Sequence, residues 1–377
     1  MINIISKDLC CGCSACVNVC PKKCISFKED CEGFLYPSVD AAVCVDCGLC
    51  ERVCPVINKN VERVPIHTYA VKHPDEKIRL GSSSGGLFTY LAENVIDNGG
   101  VVFGARFNER WEVVHDYAET KEGLAPFRGS KYVQSNMGDS YVLAEGFLKS
   151  GRIVMFTGTP CQIAGLKKYL RKEYDNLLAV DVVCHGVPSP MIWRKYLDEA
   201  TGSGGISTVR NINFRDKSTG WKNFSVAIDF SKGQAISKFP ENDYMRAFLI
   251  NLSIRPSCFN CPAKAGRSGA DHTIGDFWGI KTVKPEMDDD KGVSLALTYS
   301  DNKFMDSRLL HEEIPYMDAL RHNKCITNSV DEPVNRDYFF RLLSLDSFKK
   351  SFKNASSTSL ICRVKRIVYR KFKVLFR

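Results

Sequence analysis

The chain has 377 residues, 44% hydrophobic and 25% charged, the balance of a folded water-soluble protein large enough for two or three domains. No run approaches the ~20 apolar residues of a membrane-spanning helix, and the opening MINIISKDLCC lacks the basic-then-apolar order of a secretory signal, so a cytoplasmic protein is expected. The net charge of +9 comes from the end of the chain, where residues 349–377 hold ten Lys or Arg and no Asp or Glu; the near-neutral remainder argues against a nucleic-acid partner.

Eleven of the 17 cysteines fall between residues 10 and 54. Cys10, Cys13, Cys16 and Cys20 are followed by Pro21, and Cys44, Cys47, Cys50 and Cys54 by Pro55, with the same spacing in both runs. This is bacterial ferredoxin spacing, in which three thiolates of one run hold a cube and the fourth ligates the other cube. Cys10, Cys13, Cys16 and Cys54 are therefore assigned to one 4Fe–4S cluster, and Cys44, Cys47, Cys50 and Cys20 to the second. A zinc knuckle would use ligand pairs, not two runs of four. Cys11, Cys24 and Cys31 fall outside the pattern and are expected as buried small hydrophobes. The polar stretch from Ile57 to Pro65 reads as a linker.

Beyond it, Arg79, Ser82, Ser83, Ser84, Gly85 and Gly86 precede an apolar helical pattern from Leu87. They form either an ordinary N-capped loop or a phosphate cradle of hydroxyls, backbone N–H groups and a cation. Strands are predicted over 101–107, 111–117, 152–157 and 177–183, with helices over 140–149 and 163–172, an alternation that implies parallel crossovers. Cys161 and Cys184 follow consecutive parallel strands, where ligands of such sheets collect, and are expected close together. Cys258 and Cys261 form a CxxC bracketed by Pro256 and Pro262. A redox disulfide, half a zinc site or, with Cys161 and Cys184, a third 4Fe–4S cluster all fit that spacing.

The segments RLGSSSGG, GTPCQIAGLKKYL, DVVCHGVPSP, SCFNCPAKAGRSGAD and IGDFWGI, spread from about Tyr69 to Ile280, resemble the beta-subunit family of coenzyme F420-reducing hydrogenase and F420 dehydrogenases. That family includes 7-hydroxymethyl chlorophyll a reductase-like proteins and bacterial relatives linked to surface-polysaccharide clusters. The resemblance implies an α/β (α+β overall) architecture, with a two-cluster 4Fe–4S ferredoxin domain at 1–60 and an FAD- and 4Fe–4S-binding domain at 66–345; the sequence itself adds a Ser/Lys-rich basic linker and amphipathic tail at 346–377. The resemblance also implies a third cluster at Cys161, Cys184, Cys258 and Cys261, and an FAD near Arg79, Ser82, Ser83, Ser84, Gly85 and Gly86. Lys131 and His185 are the candidate catalytic residues; Asp276 is a motif match. The implied activity is an iron–sulfur flavoprotein oxidoreductase linking a ferredoxin-type or deazaflavin donor to a two-electron substrate, such as a surface-polysaccharide or lipid-linked intermediate. The alternative is a non-catalytic relay to a partner enzyme.

In the tail, Arg363, Arg366, Arg370, Lys373 and Arg377 share one helical face, opposite Ile361, Val364, Val368, Phe372 and Leu375. Such a helix either lies on an anionic membrane surface, which would place the protein peripherally on the inner face, or docks on its own core.

Overall fold

The computed structural model describes residues 1–300 and 308–357. The tail helix anticipated over 360–377 lies outside them.

The N-terminal module is small. Its hairpin pairs β1 (Ile25–Glu29) antiparallel with β2 (Leu35–Val39). Short helices Ala15–Val19 and Leu49–Arg52 follow the two cysteine loops. The linker is strapped down on the larger domain: the Asn60 amide donates to the Arg267 carbonyl, and Arg63 to the carbonyls of Ala270 and Tyr299.

The larger domain is built on an eight-stranded sheet. Its strands are β3 (His67–Lys72), β4 (Val101–Phe107), β5 (Val113–Ala118), β6 (Val154–Gly158), β7 (Leu177–Val182), then, after a separate sheet, β11 (His272–Asp276), β12 (Ser294–Thr298) and β13 (Leu310–Glu313). The order is β13-β3-β12-β11-β7-β6-β4-β5. The centre, β4-β6-β7-β11, is parallel, while the pairs at both flanks are antiparallel. Side chains alternate between faces with period two. Val101, Phe103, Val154, Phe156, Leu177 and Ala179 pack beneath helices Ser140–Lys149 and Pro160–Leu170, on the side that meets the cysteine module. Val102, Met155, Leu178 and Val180 pack beneath helix Leu87–Asp97 on the other.

Between the two parts of this sheet the chain makes a three-stranded antiparallel sheet, β8 (Val209–Asp216), β9 (Ser225–Phe230) and β10 (Gln234–Lys238), in the order β10-β9-β8. Its apolar face joins Trp193, Tyr244, Phe339 and Phe348 in one buried cluster. Helix Phe348–Ser356 belongs to this core, with Phe348, Phe352 and Ala355 buried. The Ser/Lys-rich connector expected to begin at 346 is therefore a packed helix as far as Ser356. Its apolar residues recur at i, i+4 and i+7, and the Glu199 carboxylate accepts from the Phe348 and Lys349 N–H groups at its start. No helix among the described residues is long and apolar enough to cross a membrane.

Candidate iron–sulfur and electron-transfer site

The two cysteine loops share one backbone form. Gly12 and Ser14 are left-handed (φ 68° and 70°), and so are Asp46 and Gly48 (φ 49° and 70°) at the same offsets of the second run. Each loop curls so that its first three thiols face inward before the short helix begins. One cavity is lined by Cys10, Cys13, Cys16 and Cys54, with Cys11 beside them. The other is lined by Cys20, Cys44, Cys47 and Cys50, with Cys24 beside them. Backbone N–H groups of Ile2 and Asp46 donate to the Cys50 and Cys44 sulfurs at 3.3 and 3.4 Å. Among the described residues no three His, Cys, Asp or Glu side chains converge on a single-ion position. The thiols of each set line one shared space, as a multi-iron cube requires.

The two sets differ in depth. Cys10, Cys13, Cys16 and Cys54 are buried, whereas Cys47 is exposed and Cys20 and Cys44 half-buried. Of the extra cysteines, Cys24 is buried 3.4 Å from the Cys20 sulfur. Cys31 corrects the expectation of burial: it is exposed at the β1–β2 turn, beside the Lys7 ammonium.

Cys161, Cys184, Cys258 and Cys261 come together from three elements. Cys161 sits in the first turn of helix Pro160–Leu170, behind a Thr159–Gln162 capping box. Cys184 lies just past β7, the parallel neighbour of β6. Cys258 and Cys261 bracket the end of a single 3-10 turn, Pro256–Asn260. The other three thiols all act electrostatically on Cys184. Burial pushes the Cys258 and Cys261 thiols up to about 12 and about 11, so thiolate here calls for positive charge nearby. Two buried cations supply it. Arg255 is 0% exposed, and Lys264, 4% exposed, donates to the carbonyls of Cys184 and Cys325 at 2.6 Å each. Arg255 has no carboxylate partner among the described residues, and Lys264 acts electrostatically on the buried Asp181 without a direct ion pair. Burying an unmatched cation costs several kcal/mol, and an anionic thiolate-ligated cluster would match Arg255. Four clustered thiols between two buried cations fit such a cluster.

The buried set of the module abuts this third set. Cys11 and Cys13 pack in one apolar cluster with Cys161, and the Cys11 thiol interacts electrostatically with both of the others. A Cβ at Gly165, on the helix that carries Cys161, would lie 2.9 Å from the Cys13 sulfur, so glycine is what permits the approach.

The loop from Arg79 to Gly86 lies along the same carboxyl edge of the sheet: Ser84 donates to the Gly275 carbonyl, and Gly275 packs against Val183, the neighbour of Cys184. The loop's side chains are already partnered. Arg79 is buried and forms a two-point ion pair with Asp289, with Nε donating to the Gly292 carbonyl at 2.7 Å. Ser82 donates to the Ile78 carbonyl and Ser84 to that of Val293, while Ser83 accepts from the Ser130 N–H and hydroxyl. The Arg79 cation and the Ser82 and Ser84 hydroxyl protons anticipated for a phosphate are therefore committed within the chain, whereas Ser83, an acceptor in both of its bonds, keeps its own O–H. What else the loop leaves for an anion is backbone: helix Leu87–Asp97 starts at Gly86 (φ 91°) with no side-chain cap. Gly85 is required by packing, since a Cβ would come within 2.3 Å of the Val71 carbonyl oxygen.

Residues without a sequence signal complete this region. Lys217 donates to the carbonyls of Arg79, Ser84 and Lys291, and burial lowers its ammonium to about 7. Arg215 pairs with Asp276, which also accepts from the Trp221 indole; Trp221 stacks on Trp278 with centroids 5.1 Å apart. Asp276 thus anchors this cluster. Lys131 is half-buried, donating to the carbonyls of Pro126 and Arg128, and burial lowers it to about 7. His185 instead adjoins the third cysteine set: Nε2 meets Asn251 Oδ1 at 2.6 Å, Nδ1 faces the Cys325 sulfur, and burial lowers its pKa. The two candidate catalytic residues are therefore not neighbours in one site. Between them stand Tyr132, which accepts from Arg215 at 3.4 Å, and Phe248, whose ring lies 5.0 Å from both Tyr132 and His185.

A ferredoxin-like cysteine module docked on an α/β domain with further clustered thiols defines an iron–sulfur protein of the electron-transfer class. Residues 9–58 match the 4Fe-4S dicluster domain, and residues 151–304 match the family described as the C terminus of the coenzyme F420 hydrogenase/dehydrogenase beta subunit. The chain carries a match to each of these two domain models, over 9–58 and 151–304. Among curated proteins, a subunit of the F(420)H(2) dehydrogenase of Methanosarcina mazei is 28% identical over 192 residues, covering 48% of this chain and 54% of the relative. The coenzyme F420-dependent sulfite reductase of Methanocaldococcus jannaschii is 28% identical over 200 residues, 52% of this chain and 30% of the relative. A 7Fe ferredoxin of Hydrogenibacillus schlegelii is 49% identical over 43 residues, 11% of this chain and 49% of the relative. The chain thus spans about half or less of the length of these relatives. A chain of the F420-reducing [NiFe] hydrogenase complex from Methanosarcina barkeri superposes with a TM-score of 0.46 at 16% identity, over 77% of this chain and 94% of that one.

Proposed function

We propose that this chain moves electrons one at a time between a carrier docking at the exposed Cys47 side of the module and a two-electron partner at the Arg79–Gly86 loop of the larger domain. The observation that carries the reading is the packing of Cys11 and Cys13 with Cys161 in one cluster, and of Cys16 and Cys54 with Cys50, Cys20 and Cys44 in another, so that the buried set adjoins both of the others. Cys20, Cys44, Cys47 and Cys50 would hold the outermost 4Fe–4S cluster. Cys10, Cys13, Cys16 and Cys54 would hold the buried one, and Cys161, Cys184, Cys258 and Cys261 a third. A flavin would be held by the uncapped N-terminus of helix Leu87–Asp97, in place of the side chains of Arg79, Ser82 and Ser84, with Lys217 fixing the loop through the Arg79, Ser84 and Lys291 carbonyls. When bound, the clusters supply one-electron steps and the flavin their exchange with a hydride-type pair. Contacts run from Arg215 through Tyr132 and Phe248 to His185, the neighbour of Cys184. The F420-linked relatives favour a deazaflavin-type partner over a polysaccharide or lipid-linked substrate.

Anaerobic reductive titration of the full chain tests this reading. Three clusters and one FAD accept about five electrons, one per cluster and two on the flavin; the Cys258→Ala/Cys261→Ala variant accepts about four. Uptake of two by the unmodified chain overturns the proposal. Reoxidation of the reduced chain by F420, and not by an artificial acceptor alone, identifies the partner class.

A further inference from the structure

Among the described residues, four arginines are 5% exposed or less: Arg79, Arg215, Arg255 and Arg336. Three are matched by carboxylates, Arg79 by Asp289, Arg215 by Asp276 and Arg336 by Glu32. Arg255 is the most deeply buried and has no carboxylate partner among the described residues. Its donors go to neutral acceptors: Nε to the Cys10 carbonyl at 2.7 Å, Nη1 to Gln134 Oε1 at 3.0 Å, and Nη2 to the Leu35 carbonyl at 2.9 Å. Its guanidinium lies 5.3 Å from the Phe34 ring centre and 4.2 Å from that of Tyr36. Hydrogen bonds and ring faces orient the charge without neutralising it, and a buried charge left unmatched costs several kcal/mol.

The position of Arg255 supplies the missing counter-charge. It stands three residues before Cys258 and is held by the backbone of Cys10, so it touches the module and the third cysteine set at once. Its charge acts on Cys10, Cys11, Cys161 and Cys258. Glycine at position 12 admits it: a Cβ there would fall 2.9 Å from Nη1 and 2.8 Å from the Gln134 amide nitrogen. Lys264 provides a second cation by Cys184, so the third set is flanked by two.

We propose that Arg255 is a positioning residue for electron transfer: the buried counter-cation shared by the clusters at Cys10, Cys13, Cys16 and Cys54 and at Cys161, Cys184, Cys258 and Cys261, holding both at higher reduction potential and in register. The second half of this statement rests on the third-cluster reading above; the Cys10 half does not. Cluster potentials respond to nearby charge and hydrogen bonding, so removing a buried positive charge stabilises the oxidised forms. Cys20, Cys44, Cys47 and Cys50, on the outer side of the module, are not among the thiols on which this charge acts most strongly.

The test is an EPR-monitored redox titration of the full, anaerobically reconstituted chain, with iron and sulfide measured on the same samples. In Arg255→Gln two cluster signals are expected to shift toward the oxidised form by about tenfold or more, 59 mV for a one-electron couple. The outermost cluster stays within twofold, and Arg255→Lys, which keeps the charge, stays close to the unmodified protein. Should Arg255→Gln not retain iron, Gln134→Glu places a carboxylate against Nη1 and neutralises the charge in place, with the same two shifts expected. Unchanged potentials in the iron-replete neutral variant overturn the proposal, as do equal shifts in Arg255→Lys and Arg255→Gln. If the unmodified chain holds about eight iron, the third-cluster reading fails separately, and one shifted signal then still supports the Cys10 half.

Discussion

Glu32 and Arg336 tie the cysteine module to the larger domain, and their removal has a calculable effect. Glu32 sits in the turn between β1 and β2, and Arg336 opens helix Arg336–Leu343. The two form a two-point pair, 3.1 Å from Nη1 to Oε1 and 2.7 Å from Nη2 to Oε2, with side chains 2% exposed for Arg336 and 12% for Glu32. Arg336 also donates to the Ile254 carbonyl, the residue before Arg255. Truncation to Glu32→Ala leaves a guanidinium buried without its carboxylate, a loss of roughly 3–5 kcal/mol. With about 2.1 cal/mol/K of unfolding entropy per residue across the chain, ~4 kcal/mol lowers the melting temperature by roughly 5 °C. Replacing both partners together, Glu32→Leu with Arg336→Met, removes the unmatched charge as well as the pair, so it is expected to cost far less than the sum of the single changes. The assay is melting of the cluster-loaded protein at one fixed heating rate, followed by circular dichroism and by cluster absorbance. A shift below about 1 °C for Glu32→Ala, or simple additivity in the double variant, refutes the reasoning.

Other outcomes follow from the same geometry. Burial lowers His272 from 6.5 to about 4, with both ring nitrogens unpartnered, and lowers His115 to a similar value between Ser135 and the Thr157 carbonyl. Between pH 4 and 6.5 the unfolded chain binds more protons at each, so stability is fully present above pH 6.5 and falls as pH drops through that window. His272→Leu should therefore stabilise more at pH 5.5 than at pH 7.5, by about 1.4 kcal/mol in urea unfolding; equal effects at the two pH values contradict the assignment. Gly165→Leu forces a side chain against Cys13 and Tyr141, at a cost of about 1–3 kcal/mol. It should slow electron equilibration between clusters in freeze-quench EPR without loss of iron, whereas unchanged equilibration would show that this approach does not carry the electron. Lys217 ties the Arg79, Ser84 and Lys291 carbonyls together, so Lys217→Met is expected to loosen the loop and lower FAD retention tenfold or more in released-flavin assays, while Ser82→Ala leaves it within twofold; the reverse order would return the phosphate to the serine side chains.

Much of this arrangement is legible in local sequence. Val101–Phe107 and Ser140–Lys149 have the predicted boundaries because burial there follows a period of 2 or of about 3.6. The repeat of the two cysteine runs is visible again in their matched left-handed residues, and β6 and β7 are parallel neighbours. What was hidden depends on distant partners. β3 joins the sheet between β12 and β13, more than 200 residues away in sequence, and nothing local marks that pairing. Helix Phe348–Ser356 was obscured because Lys and Ser outnumber the three residues that anchor it. Arg79 carried the right charge beside a glycine-rich loop, but its partner, Asp289, lies 210 residues on. Arg255 and Lys264 gave no signal at all, since a buried cation is a property of the folded neighbourhood.

The number of clusters in one chain is the most direct measure of the proposed electron path. Iron and acid-labile sulfide should be measured per chain after anaerobic reconstitution, alongside the Cys258→Ala/Cys261→Ala variant. Three cubes predict about 12 of each in the unmodified protein and about 8 in the variant, with four iron atoms per cube. About 8 in both would contradict it, leaving Cys161, Cys184, Cys258 and Cys261 as half-buried thiols between two cations with no cluster to match them.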